Sequence, residues 1–271
     1  MNDDNGSGTA LITGASAGIG AIYADRLARR GFDLILVARS EERLRAVARR
    51  VGAAGGRDVQ TIKADLEDKA DLLRVEAVLR ENASVTMLVN NAGFGAVTPL
   101  LQSDVDRMEA MLAINVGALT RLIYAAVPGF VERGRGALIN IASIVAIGPE
   151  ILNGVYGASK AYVLALTQSL QHELAGKGVR VQAVLPGATA TGFWDIAGLP
   201  HTSLPSDGVM RAGDMVDAAL AGFDQGEVVT IPPLQDGQEW LAYEAARRAL
   251  SQQFGHAAPG PRYLPTLKAA G

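Results

Sequence analysis

Tyr156 and Lys160 stand four positions apart in a run, Tyr156–Leu174, that reads as a helix. Residues at that spacing share one helix face, so the phenol and the ammonium are expected to be neighbours. A free tyrosine has a pKa near ~10 and gives up its proton reluctantly at neutral pH. A cation held beside it favours the phenolate and lowers that pKa, which would let the tyrosine exchange a proton with a substrate oxygen near neutrality. The pair alone supplies acid–base chemistry that still needs a redox partner. Its spacing is common on helices, where the plain alternative is a half-buried tyrosine beside a solvated lysine. A second pattern bears on the choice. The apolar run Thr9–Thr13 leads into a turn holding Gly14, Gly18 and Gly20, and Ala21–Arg30 has helical character. Strand, glycine-rich turn and helix together aim backbone N–H groups and a helix N-terminus at a phosphate.

Composition limits what else the chain could be. Its 271 residues suit one α/β domain with a substantial core, or at most two small ones. Hydrophobic residues make up 49% and charged residues 20%, the profile of an ordinary globular protein. A formal net charge of −3 with no long basic run gives no electrostatic reason to expect nucleic acid. The absence of cysteine excludes disulfides and thiolate chemistry. His172, His201 and His256 are scattered, which argues against a metal site. The segment 1–8 is short, acidic and polar, unlike a signal or transit peptide, and is expected to be flexible. No apolar stretch reads as approaching the length that spans a bilayer, so the expectation is a cytoplasmic protein with no membrane partner.

The elements that must position the chemistry alternate. Strands are expected at Thr9–Thr13, Asp33–Val37, Val59–Lys63, Val85–Val89, Ala137–Ile141, Val179–Leu185 and Val228–Ile231. Helices are expected between them: Ala21–Arg30, a run capped by Ser40 that reaches Arg50, Glu67–Glu81, a long Ser103–Val131 broken near Pro128, Tyr156–Leu174, and Asp214–Phe223. Apolar strands separated by helices call for a parallel sheet covered on both faces. Such a sheet binds ligands at the carboxyl ends of its strands. Gly14, Arg39, Asp65, Asn91, Ser143 and Gly187 each follow a predicted strand, so they fall along one edge.

Taken together, Thr13–Gly14 with Gly18 and Gly20, the Asn90–Asn91–Ala92–Gly93 stretch, Ser143, Tyr156 with Lys160, and Pro186–Gly187 resemble, in order, the signatures of the short-chain dehydrogenase/reductase family. The resemblance runs from about Thr9 to Ile231, in the short single-domain branch. It implies a Rossmann-type, doubly wound parallel sheet of about seven strands in the order 3-2-1-4-5-6-7. It further implies one dinucleotide-binding and catalytic domain over 9–234, with a substrate lid at about 192–212, followed by a C-terminal helix and tail over 235–271.

The resemblance also assigns roles. Gly14, Ser16, Gly18 and Gly20 would admit the pyrophosphate of a nicotinamide dinucleotide, with Ile19 contributing backbone. Asp65 and Leu66 would border the adenine, and Asn91, Ala92 and Gly93 the adenosine ribose; Asn90 either shares that task or holds a turn. Pro186, Gly187, Thr189 and Thr191 would receive the nicotinamide end, or the threonines would cap a helix. An acid at the end of the second strand would bond the ribose hydroxyls, but Arg39 stands there, so NADP(H) is preferred over NAD(H). The competing reading has Arg39 paired with Glu42, and Ala17 stands where some NADP-users of the family carry a second basic residue. Tyr156 would donate and accept the proton. Lys160 would lower its pKa and bond the nicotinamide ribose, and Ser143 would bond the substrate oxygen. Asn115 would hold a water linked to Lys160 or, alternatively, steady its helix as a buried polar group.

The resemblance thus implies an oxidoreductase that transfers a hydride between NADP(H) and a carbonyl or secondary alcohol. The alternative is a non-catalytic NADP(H)-binding sensor on the same fold. Phe94, Ile144, Val145, Leu152, Phe193 and Trp194 would line an apolar substrate pocket unless they are core. The lid from Gly192 reads as a loop. With no basic residue there before Arg211, an uncharged or hydrophobic substrate is expected. Family precedent implies a homodimer or homotetramer paired through Ser103–Val131 and Tyr156–Leu174, although their apolar faces could be used within one chain.

Overall fold

The computed structural model describes residues 8–199 and 201–264, so the expected flexible N-terminus, apart from Gly8, lies outside the described residues. The chain begins with β1 (Thr9–Thr13), α1 (Gly18–Arg29), β2 (Asp33–Ala38), α2 (Glu41–Gly55), β3 (Val59–Lys63), α3 (Lys69–Glu81) and β4 (Val85–Asn90). It continues with α4 (Val105–Leu112), α5 (Leu119–Glu132), β5 (Gly136–Ile141), α6 (Gly154–Glu173), β6 (Val179–Val184), β7 (Thr189–Ala190) and α7 (Phe193–Ala197). Then come β8 (Met210–Arg211), α8 (Ala212–Asp224), β9 (Val229–Thr230) and α9 (Gly237–Ser251).

The main sheet has seven strands in the order β3-β2-β1-β4-β5-β6-β9, and every adjacent pair is parallel. This is the expected order, since β7 and β8 pair only with each other in a small side sheet. Alternation sorts the strands' side chains between faces. Ala10, Ile12, Leu34, Leu36, Val89 and Ile139 pack on one face with Leu27 of α1, Leu44 of α2 and Met215 and Leu220 of α8. Helices α5 and α6 lie against strands as well, and α3 packs on α5. There the buried carboxylate of Glu76 is clasped by Arg80 and Arg121, which hold it below the usual carboxylate range against the opposing effect of burial. Nothing in the periodicity announces that ion triad. Edge strand β3 is only half-buried, consistent with its polar Gln60, Thr61 and Lys63.

The long helix departs from expectation in three ways. It runs through Pro128 without a break, because Pro128 sits on the solvent-facing side, where water can serve the carbonyl that loses its donor. Its irregularity lies earlier, in a π-helical segment, Ala113–Ala118, that joins α4 to α5. The continuous span Val105–Glu132 is also 28 residues long with a mean hydropathy of 1.6, so it meets the length and apolarity of a membrane-crossing helix, contrary to the sequence expectation. Half of its most apolar window is buried inside the fold, as a core helix requires. Helix α2 runs past Arg50 to Gly55, more than a turn beyond expectation, and other boundaries shift by a turn or less: α3 starts at Lys69 behind the Asp68 cap, and α6 starts at Gly154, ahead of Tyr156.

The chain divides into compact units between Pro233 and Leu234. Within the second, Asp236 caps α9 by accepting the Gln238 N–H at 2.9 Å, and Trp240 stacks on Tyr243 with ring centres 5.3 Å apart.

Candidate active site

At the carboxyl edge of β1 the Thr13 hydroxyl accepts the N–H groups of Asn91 and Ala92, each at 3.0 Å. Asn91 donates its side-chain amide to the carbonyls of Thr13 (2.9 Å) and Gly14 (3.2 Å). The turns after β1 and β4 are thereby stapled, and the Asn91 amide is engaged by the protein. Gly14 and Gly18 adopt left-handed φ of 66° and 54°, which side-chain-bearing residues avoid. A Cβ on Gly20 would stand 2.5 Å from the Gly14 carbonyl oxygen. No side chain caps the first turn of α1, where Ala17 is the N-cap. Backbone donors at Gly18, Ile19 and Gly20 therefore lack intrahelical partners and point where an anion is best held. These glycines and free amides fit the pyrophosphate of a dinucleotide.

The rest of the expected cofactor edge surrounds this turn. Arg39 follows β2 with 62% of its side chain exposed; its ion pair is with Glu67 at 4.0 Å, across from β3, and not with Glu42. Asp65 is pinned by its N–H donating to Asp71 (2.8 Å), while its carboxylate accepts the Glu67 N–H (3.1 Å); Leu66 is buried. Ser16 is half-buried, and a Cβ on Gly18 would come 3.4 Å from the Thr191 methyl, so the loop after β6 closes over the turn after β1. Thr189 donates to the Gly187 carbonyl at 3.0 Å, and the Thr191 hydroxyl accepts the Phe193 N–H at 3.3 Å. Thr189 donates and so caps no helix, while Thr191 accepts an N–H at the opening of α7, whose N-cap position is held by Gly192. A Cβ on Gly93 would come 2.6 Å from Asn115 Oδ1 and 3.8 Å from Lys160 Nζ, which places Gly93 where the two halves of the site meet.

Ser143, Tyr156 and Lys160 converge there. Asn153 caps α6 by accepting the N–H groups of Val155 (2.9 Å) and Tyr156 (3.3 Å), which fixes the start of the helix that carries the tyrosine and lysine. Ser143 follows β5 in extended backbone, and its hydroxyl hydrogen-bonds the Tyr156 phenol. The Ile144 N–H donates to the Pro186 carbonyl at 3.1 Å, tying the loop after β6 to the serine. Lys160 Nζ donates to the Ile141 carbonyl at 2.9 Å and lies 5.8 Å from the centre of the Tyr156 ring.

The protonation of this trio reverses one expectation. Burial pushes the Tyr156 phenol up to about 12, with the Ser143 hydrogen bond drawing it part of the way back. Burial also pushes the Lys160 ammonium down to about 8. The spacing predicts a lysine that acidifies its tyrosine, but both groups are enclosed, and loss of water dominates the proton affinity of each. In this chain the phenol is a firmly protonated acid.

Asn115 lies in the π-helical segment. Its amide donates to the Phe94 carbonyl (2.9 Å) and the Ser159 hydroxyl (3.1 Å), and its oxygen accepts the Phe94 N–H at 3.2 Å. Its side chain thus ties the π-helical segment to the loop after β4 and to α6, whereas the sequence left open a water held for Lys160 or a bond that steadies its own helix; π segments recur at functional sites. Asn90 is structural: it donates to Asn140 (2.9 Å), which donates to Thr167 (3.0 Å), a buried relay from β4 through β5 to α6.

Phe94, Val145, Leu152 and Phe193 gather around Tyr156 with Ala96, Met108 and Met111. Two of the expected pocket residues do not join that cluster. Trp194 is buried and donates its indole N–H to the Thr189 carbonyl at 2.9 Å, anchoring α7. Ile144 turns toward Gly187, whose added Cβ would be 3.9 Å from it. The segment expected as a lid is not simply a loop, since it contains α7. Sequence reasoning passed over Gly95, Met108, Met111, Asn153 and Ser159; only Asn153, directly before a helical run, carried a readable signal as a cap.

Comparison with known proteins agrees with this geometry. The short chain dehydrogenase family model matches residues 8–197. An uncharacterized oxidoreductase of Staphylococcus epidermidis is 33% identical over 225 residues, 82% of this chain and 93% of that protein. A short-chain dehydrogenase from Sphingobium yanoikuyae, solved in complex with NADPH, is 47% identical with a TM-score of 0.92, covering 95% of this chain and all of that one. A bulky-bulky ketone specific alcohol dehydrogenase from Comamonas testosteroni is 43% identical with a TM-score of 0.88, covering 95% of this chain and 99% of that one. A glycine turn at the edge of this sheet order, a buried serine–tyrosine–lysine cluster beside it, and a match over most of the length lead to one assignment: the chain belongs to the short-chain dehydrogenase family of oxidoreductases.

Proposed function

We propose that the chain reduces an uncharged, largely apolar ketone or aldehyde with NADPH and oxidises the corresponding alcohol in reverse. The observation that carries this reading is the placement of a protonated, buried Tyr156 between Ser143 and an apolar enclosure, beside the glycine-walled strand ends. NADPH supplies or NADP+ accepts the hydride when bound. The amides opening α1 would hold its pyrophosphate, and Lys160 would bond its nicotinamide ribose. Ser143 bonds the carbonyl oxygen and fixes it for proton transfer. Tyr156 donates its proton to that oxygen as negative charge develops, and the high proton affinity set by burial keeps the acid loaded at neutral pH.

The preference for the phosphorylated cofactor rests on Arg39, exposed at the end of β2 and, among the described residues, held by a 4.0 Å ion pair to Glu67. The NADPH complex of the Sphingobium relative supports it. Phe94, Val145, Leu152 and Phe193 supply no charge to an acid or phosphate group, which favours a neutral substrate, as does the bulky-ketone specificity of the Comamonas relative. Exposed Leu100, Leu101, Val105 and Tyr124 along and ahead of the long helix support assembly into a homodimer or homotetramer.

A panel of aldehydes and ketones with NADPH tests the reading. At least one is expected to drive cofactor oxidation, and Tyr156→Phe is expected to lower kcat by about a thousandfold while leaving NADPH affinity within about twofold. Binding of NADPH with no turnover on any carbonyl would instead favour a non-catalytic sensor.

A further inference from the structure

We propose that Gly95 and Phe193 together form a size-selecting wall of the substrate site, in which a glycine admits an aromatic ring against the face of Tyr156. The inference deepens the carbonyl-reduction reading and rests on it. The Phe193 ring centre lies 5.8 Å from that of Tyr156, with the planes tilted by 45°. A Cβ on Gly95 would overlap Phe193 Cζ and stand 3.2 Å from both Phe193 Cε2 and Tyr156 Cε2. Gly95 has no positive φ, so its small size, not its backbone freedom, is what the site uses.

The ring is also held in place. Trp194 meets it edge-on at 5.7 Å and fastens the start of α7 to the Thr189 carbonyl. At the other end the Val97 N–H donates to the Ala197 carbonyl at 3.3 Å, and the Arg107 guanidinium donates to the Ile196 carbonyl. With its helix latched at both ends and its ring packed between Tyr156 and Trp194, Phe193 cannot swing aside at little cost, so it meters the space next to the reacting carbon. Phe193 therefore limits the bulk of one substituent on the carbonyl. Gly95 acts through Phe193 and is a positioning residue.

The test is the ratio of kcat/KM for a diaryl ketone to that for a small methyl ketone, measured with NADPH. Phe193→Ala is expected to raise the ratio by on the order of tenfold, with Phe193→Leu between it and the wild type. Gly95→Ala is expected to impair turnover severely in the wild-type background. In the Phe193→Ala background it is expected to cost less than about threefold, because only the 3.2 Å approach to Tyr156 remains. NADPH affinity and melting temperature report on folding for each variant. A ratio that stays within about twofold in both Phe193 variants, or a Gly95→Ala effect equal in both backgrounds, overturns the wall while leaving the reductase intact. Absence of turnover by the wild type on any carbonyl sinks the functional reading and the wall with it.

Discussion

The two sides of Tyr156 are walled by different materials. Toward β1 and β4 the surface is main chain: left-handed glycines, uncapped amides at the start of α1, and carbonyls tied down by Asn91. Toward α4 and α7 it is side chain: Phe94, Met108, Met111, Val145 and Phe193, drawn from elements distant in sequence. A main-chain wall presents the same amides whatever the neighbouring side chains are, and it has no room for an extra carbon. A side-chain wall can be recut by substitution without disturbing the fold, which is how one scaffold serves many substrates.

That contrast can be broken most severely at Gly20. Gly20→Ala puts a Cβ 2.5 Å from the Gly14 oxygen and 2.6 Å from Asn91 Nδ2, both fixed groups. It is expected to lower stability by about 1–3 kcal/mol and to weaken NADPH binding by tenfold or more, read by denaturant titration and by cofactor fluorescence. An unchanged affinity would show that the main-chain wall is softer than argued.

Lys160 stands at the seam, and its burial costs stability while it is charged. Its native pKa of about 8 lies below the ordinary lysine value, so between those values the unfolded chain binds the extra proton and the native chain does not. Stability contributed by this group is therefore lowest below pH 8 and rises as pH climbs toward the ordinary lysine value. Lys160→Met is expected to remove that rise, flattening the difference between pH 7 and 9.5 by on the order of 1–2 kcal/mol in urea melts. Parallel pH profiles for the two proteins would count against a buried, strained ammonium.

Arg39 gives the smallest effect because it is exposed. Arg39→Ala is expected to cut the preference for NADPH over NADH by about five- to tenfold, mainly through KM for NADPH and with kcat little changed. A preference that survives would place the discrimination elsewhere on the main-chain wall.

The main-chain side was the more legible in sequence. Gly14, Gly18 and Gly20 lie close together after β1, Arg39 directly follows β2 and Asp65 stands two residues past β3, and local order alone brings them to one edge of a parallel sheet. The side-chain wall was legible only in part. Phe94, Val145, Leu152 and Phe193 do meet around Tyr156, yet Trp194 and Ile144, equally apolar, turn elsewhere because each packs against a loop whose path no short pattern encodes. The unbroken passage of α5 through Pro128 and the π segment at Asn115 are not legible in the sequence for a related reason: whether a helix tolerates a missing donor or an extra residue depends on what faces it.

By itself the sequence determined the order of strands and helices, the glycine turn, and the placing of a tyrosine and a lysine on one helix face, since these follow from steric preference and periodicity between near neighbours. Only the tertiary structure decided how protonated those residues are. The tyrosine's acidity reflects how much water the surrounding fold removes, and desolvation is summed over every enclosing element. That sum left a phenol at about 12 where spacing alone pointed to an acidified one.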